Sequence, residues 1–296
     1  MNSYQRVFNR LQGKEVDKIP NLNIIMTFAA KYIGIPYSKY VRDYKYLVEG
    51  NIKCCQEFGI DMVSAISDPC REGYDMGAEI KFPDDDVPSF SGTFITEHSD
   101  LKKIEVCDPL DGERMLDRIK AVELYKSEVN GEYPILGWVE GAFAEAYDLM
   151  GINLMMDLIQ SPDFAHELLS ICTEQAIVFA EEQVKAGADF IGIGDAAASL
   201  IGPAHYQEFV LPYEKRICQA IHDAGAKVKL HICGDISAFV EYTPQTGADM
   251  IDLDWMVDFG KAVETFAGKC SVCGNFDPVN VLLQGSSDEV REAVQS

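Results

Sequence analysis

His231 and Cys233 stand two residues apart at the end of an apolar run, Ala226-Lys227-Val228-Lys229-Leu230, and Gly234 follows them. In a strand, residues two apart project from the same face. The spacing therefore predicts an imidazole and a thiolate converging on one point, with a glycine to turn the chain. Zinc, a borderline-soft ion, takes these two ligand types. The tripeptide also reads as a buried cysteine beside a core histidine, and its spacing alone does not separate the two.

Other polar residues close apolar runs in the same manner. Asp68, Glu140, Asp195, Asp254 and Asn275 follow the runs 60–66, 134–139, 189–193, 248–253 and 270–273. Carboxylates so placed could move protons or orient a substrate. Each could equally hold a loop by hydrogen bonding, and Asp254 could cap the next helix. With 19–26 and 226–233 these runs make seven predicted strands, each short and bounded by Gly, Pro or acidic residues, as buried parallel strands are.

Helical patterns separate the strands. The clearest is Pro162 to Ala186, with Ser161 placed to cap it, Pro162 at its first position and Gly187 after its end. A second begins near Pro212 and runs to Gly225. Alternating strands and helices predict a parallel α/β architecture. No dinucleotide or nucleotide-phosphate glycine motif occurs. Polar residues clustered at strand ends instead predict a TIM (β/α)8 barrel, whose site lies at that face. Seven strands fall one short, and the chain reaches Ser296 in a helix opened by a capping serine at 286–287. A last strand–helix unit is therefore expected beyond residue 296. The reading is one barrel domain over 1–296, with a rim excursion at about 70–109. There a turn through Asp84, Asp85 and Asp86 joins predicted strands at 79–81 and 92–95.

The 296 residues carry 25 Lys and Arg against 48 Asp and Glu, a net charge of −23. Such a field repels nucleic acid and anionic membrane. No apolar run is long enough to span a bilayer, and the first residues lack a signal-peptide pattern. Nine scattered cysteines then read as reduced thiols in a cytoplasmic protein.

With these elements in place the chain resembles the uroporphyrinogen decarboxylase superfamily, and within it the corrinoid-dependent methyltransferases that act on methylcobamide and coenzyme M. The resemblance spans essentially the whole chain. It is carried by Met26-Thr27-Phe28-Ala29-Ala30-Lys31-Tyr32, Ile66-Ser67-Asp68-Pro69, Gly137-Trp138-Val139-Glu140-Gly141-Ala142-Phe143 and Gly194-Asp195-Ala196. It continues through Leu211-Pro212-Tyr213, His231-Ile232-Cys233-Gly234 and Gly274-Asn275-Phe276-Asp277-Pro278. The decarboxylases carry an Arg-Gln-Ala-Gly-Arg-Tyr segment that grips substrate carboxylates. The matching region here, Thr27 to Gly34, has no arginine.

The resemblance implies a zinc-dependent enzyme of one-carbon metabolism. It would move a methyl group between a corrinoid and a small thiol or methylated substrate. His231 and Cys233 would be zinc ligands, with a third cysteine in the last strand, beyond Ser296. Cys273 is the substitute within the chain, and Asp254 could supply an oxygen ligand. Glu140 and Asp195, with Asp68 behind them, are the candidate catalytic acids. Asn275 and Trp138 are the candidate substrate contacts. The corrinoid-ligand pattern D-x-H-x-x-G is absent, so the cofactor is expected on a separate corrinoid protein. Two alternatives stand beside this reading: a uroporphyrinogen-type decarboxylase, and a non-catalytic barrel that binds a corrinoid protein.

Overall fold

The computed structural model describes residues 1–295. Its strands are β1 (Val63–Ser64), β2 (Ile80–Lys81), β3 (Ser89–Phe90), β4 (Ile135–Glu140), β5 (Phe190–Gly194), β6 (Lys227–Ile232), β7 (Met250–Leu253) and β8 (Ser271–Cys273). Six of them form one parallel sheet in the order β1-β4-β5-β6-β7-β8. Among the described residues β1 and β8 each have one neighbour, so the barrel is open between them, as the strand count predicts.

Alternation along each strand separates two apolar environments. Ile135 and Val139 of β4, Ile191 and Ile193 of β5, and Val228, Leu230 and Ile232 of β6 join the large core under the helices. Leu136, Trp138 and Phe190 join a smaller cluster with Met62, Ile66 and Val7, inside the curve of the sheet. The residues that alternate with the helix-facing set, including Glu140, His231 and Cys233, therefore belong to the interior of the barrel.

The helix Pro162–Ala186 forms as predicted and ends at Gly187, whose φ of 117° suits glycine. It also holds β4 directly. The Gln183 amide accepts from Trp138 N at 2.9 Å and donates to Trp138 O at 3.0 Å. Gly137 makes room for it, since a Cβ there would stand 2.7 Å from Gln183 Oε1. The second helix runs Leu211–Ala224, and Ser286 and Glu289 cap each other at the start of the last one.

Three local expectations are corrected. The run 19–26 joins no sheet. Pro20 has no N–H to give to a ladder, Asn21 is bonded to Asp61, and Asn23 folds back onto the Asn21 amide. The rim excursion pairs β2 with Ser89–Phe90, not with 92–95. Further on, Phe94 N and Ile95 N both donate to Leu149 O, which takes that segment out of the hairpin. Ser161 occupies the cap position of its helix without a side-chain capping bond; its N–H instead closes the preceding helix on Asp157 O.

Candidate functional site

Strand register lines up Glu140, Gly194, His231, Asp252 and Cys273 across five neighbouring strands. At about 4.8 Å per strand, Glu140 and His231 have backbones roughly 10 Å apart, with Gly194 between them. A Cβ on Gly194 would stand 3.0 Å from the Trp138 indole and 3.3 Å from Glu140 Oε2. The glycine thus lets the Trp138 indole and the Glu140 carboxyl pack over the row at this point. Trp138 itself is buried, pressed over Gly192 and Gly194.

On the other side of Gly194, His231 Nε2 lies 2.9 Å from Cys233 Sγ. The second ring nitrogen, Nδ1, lies 3.0 Å from Asp252 O, a carbonyl that can only accept. That bond puts the ring proton on Nδ1 and leaves the Nε2 lone pair facing the thiol, the arrangement of a metal-ligating histidine. Burial works against the His231 cation. The hydrogen bond to Cys233 and the Asp252 carboxylate outweigh it and lift the ring above its usual range. Cys233 is exposed and so is open to an incoming ligand.

The remaining metal candidates are turned to other work. Asp254 Oδ2 accepts from Gly234 N at 2.9 Å and Oδ1 from Met256 N at 3.2 Å, which fixes the turn after Cys233. Cys273 donates to Asp252 Oδ1 at 3.4 Å, and burial beside that carboxylate pushes its thiol far up. Among the described residues no three His, Cys, Asp or Glu side chains converge as a metal site. His231 and Cys233 therefore fit two ligands of a zinc ion in donor type and approach. The third cysteine implied by the resemblance lies outside the described residues. Asn275 Nδ2 donates to Asp254 O and Val257 O, both at 2.8 Å, and so ties the β8 turn to the β7 turn.

The acids divide. Glu140 Oε1 accepts from Arg71 Nη2 at 2.8 Å, and Glu140 N donates to Glu72 Oε1 at 2.9 Å. Asp195 Oδ1 accepts from Ala144 N at 2.7 Å, capping the helix Ala142–Met150 from outside, while its buried Oδ2 has no partner among the described residues. Burial raises the Asp195 carboxyl to about 7 in spite of its bonds to the Ala144 and Phe143 N–H groups. Asp68 lies near Arg71, the guanidinium that holds Glu140. It is buried, bonded to Ser67 Oγ, Cys70 N and the Arg114 guanidinium. Burial opposes its charge, but Arg114 and Arg71 hold it below the ordinary range.

Sequence reasoning missed Arg71, Glu72, Glu145 and Asp148 around Glu140, and Lys229 and Asp252 beneath His231. Lys229 was findable: it shares the alternating parity of His231 and Cys233, and its buried ammonium is paired with Asp252. Glu145 and Asp148 are three apart on one helix face, but no local signal announces their burial.

An open parallel α/β barrel with polar groups gathered at the C-terminal ends of its strands is the architecture of a barrel enzyme. The chain belongs to the uroporphyrinogen decarboxylase family, whose sequence pattern (Uroporphyrinogen decarboxylase, URO-D) it matches over residues 2–296. It is 28% identical over 295 residues to the methylcobamide:CoM methyltransferase MtbA of Methanosarcina mazei, covering 98% of this chain and 86% of that protein. It is 26% identical over 255 residues to the uroporphyrinogen decarboxylase of Carboxydothermus hydrogenoformans, covering 84% and 71% of the two chains. In fold it is similar to a methyltransferase from Methanosarcina mazei, with a TM-score of 0.90 over 100% of this chain and 90% of that one, at 23% identity. Among the described residues no helix is long and apolar enough to cross a membrane.

Proposed function

We propose that this chain is a zinc-dependent methyltransferase that moves a methyl group between a separate corrinoid protein and a small thiol. The observation that carries the reading is the His231 Nε2–Cys233 Sγ approach of 2.9 Å, with Nδ1 committed to Asp252 O. His231 and Cys233 would hold zinc, which when bound keeps a substrate thiol as the thiolate at neutral pH. Asp252 O orients the imidazole. Asp254 and Asn275 fix the two turns that frame the pair. Trp138 packs over Gly194, and Glu140, across that glycine from His231, handles the thiol proton. Asp195 holds the loop beside it. The mouth stays free for a corrinoid protein to dock, in a cytoplasmic one-carbon pathway. The MtbA relative, whose name gives methylcobamide and coenzyme M as its substrates, supports this choice within the family.

A decarboxylase reading is favoured by the relatives of that name. Against it, Arg71, Arg114 and Arg118 are fully buried rather than offered at the mouth, and a polycarboxylate without paired cations is left with uncompensated desolvation. The test mixes zinc-loaded protein, a methylated corrinoid protein and a small alkanethiol, and follows the cobalt absorbance. Demethylation of the corrinoid that depends on His231 and Cys233 supports the proposal. Porphyrinogen turnover with no cobalt dependence reverses the ranking.

A further inference from the structure

Lys229 lies two residues before His231 on the same face of β6. Its side chain is 1% exposed. A buried ammonium without a partner is left with uncompensated desolvation, and the partner here is the Asp252 carboxylate on β7. Asp252 stands directly opposite His231 in the strand register. One residue therefore serves both neighbours on β6. Its carboxylate accepts from Lys229 through Oδ2, and its main-chain oxygen accepts from the imidazole at 3.0 Å.

The carboxylate is close enough to compete for the ring. Asp252 Oδ2 lies 3.7 Å from His231 Nδ1, just beyond a hydrogen bond, and it is the oxygen that Lys229 holds. The other oxygen, Oδ1, accepts from Cys273 Sγ on β8 at 3.4 Å. Donors on the two flanking strands thus occupy both carboxylate oxygens, and the imidazole is left with the backbone carbonyl. The difference has chemical weight. A hydrogen bond to an ionised acceptor is roughly twice as strong as one to a neutral acceptor, and a carboxylate behind a metal-ligating histidine raises its donor strength accordingly.

We propose that Lys229 is a positioning residue that withholds the Asp252 carboxylate from His231. The ring then keeps its Nδ1 proton against a neutral carbonyl and presents Nε2 as a neutral imidazole donor. The use of this arrangement rests on the metal-site reading above. An imidazole that passes less charge to the ion leaves the ion more able to hold a substrate thiol as thiolate. Cys273, which occupies the second oxygen, completes the restraint.

The restraint is testable without metal. Full-length protein carrying isotope-labelled histidine is held at a pH where the ring is neutral, and its ring nitrogens are followed by NMR. His231→Ala identifies the His231 signals among the five histidines. In Lys229→Met the freed carboxylate is expected to take the ring N–H, which moves the Nδ1 resonance downfield. The double variant Lys229→Met/Asp252→Asn has no carboxylate to offer and leaves no buried charge, and its Nδ1 resonance is expected where the unaltered protein has it. That comparison keeps the test decisive should the single variant fail to fold. An Nδ1 resonance that does not move in Lys229→Met overturns the proposal. So does an unaltered protein whose Nδ1 already lies downfield of the double variant, since the carboxylate would then hold the ring with Lys229 present. Failure of cobalt(II) to bind the unaltered protein, with the ring resonances as expected, instead overturns the metal-site reading and leaves the restraint standing.

Discussion

At the His231 end of the polar row, charge is matched and the site is half open. Lys229 pairs with Asp252, Asp252 O fixes the imidazole, and Cys233 reaches solvent. At the Glu140 end, charge is unmatched and closed in. Glu72 and Glu140 share Arg71, and Glu145 is buried with both oxygens unpartnered among the described residues. The two ends lie in one register row, separated by a glycine. The contrast teaches that one polar layer can be prepared for two different ligands. An open, oriented N/S pair suits a soft cation, whereas enclosed carboxyls suit the guanidinium that pairs with them.

Substitutions at the two ends should separate these roles. The largest effect is expected from Cys233→Ala or His231→Ala in the full-length protein. Zinc affinity should fall by more than about 100-fold, since even outer partners of a metal site cost 10–100-fold. Elemental analysis checks this. Next comes Arg71→Met, which strands the carboxyls it served. Breaking one partner of a buried pair costs about 3–5 kcal/mol. Denaturant unfolding should reveal that loss at pH 8 and a smaller one at pH 5, where the carboxyls can protonate.

Asp195→Asn sharpens the comparison through pH. The folded-state value of Asp195 is raised from 3.8 to about 7. Its stabilising share is therefore fully present below the unfolded value and is lost as pH rises through about 7. Asparagine can still accept from Ala144 N but does not titrate. The variant should remove a slope of about 1.4 kcal/mol per pH unit, the linkage of one proton, between those limits. Unfolding titrations of the two proteins with parallel slopes would contradict the assignment. The smallest effect is expected from Asn275→Ala. Losing the bonds to Asp254 O and Val257 O should cost about 1–2 kcal/mol and loosen the turn frame near Cys233. Chemical denaturation measures the cost, and the pH behaviour of the Glu140 end should not move.

The two ends also differ in how much of them could be read from the chain. The metal pair is local: two residues at strand spacing, closing an apolar run, give both the shared face and the donor chemistry. Most strand positions and the helix Pro162–Ala186 were legible for the same reason, as short-range periodicity bounded by glycine and proline. The carboxyl cluster is not local. Glu72 and Glu145 meet because a helix after β1 and a helix after β4 pack together, and nothing in either segment alone states that their acids face inward. Asp68 is legible by its strand-end position, but its partner Arg114, distant in sequence, is not. The run 19–26 has strand-like composition, yet Pro20 has no N–H, and the Asn21 and Asn23 N–H groups go to the Asp61 and Asn21 side chains, which withdraws the donors a ladder needs.

The central claim is that His231 and Cys233 together hold a thiophilic metal. Cobalt(II) substituted into the full-length protein tests it most directly, because a cobalt–thiolate bond has its own charge-transfer absorption. The account predicts that absorption in the unaltered protein, its loss in Cys233→Ser, and a perturbed ligand field in His231→Ala. A cobalt-loaded protein with no thiolate absorption, or with one that survives Cys233→Ser unchanged, would contradict it.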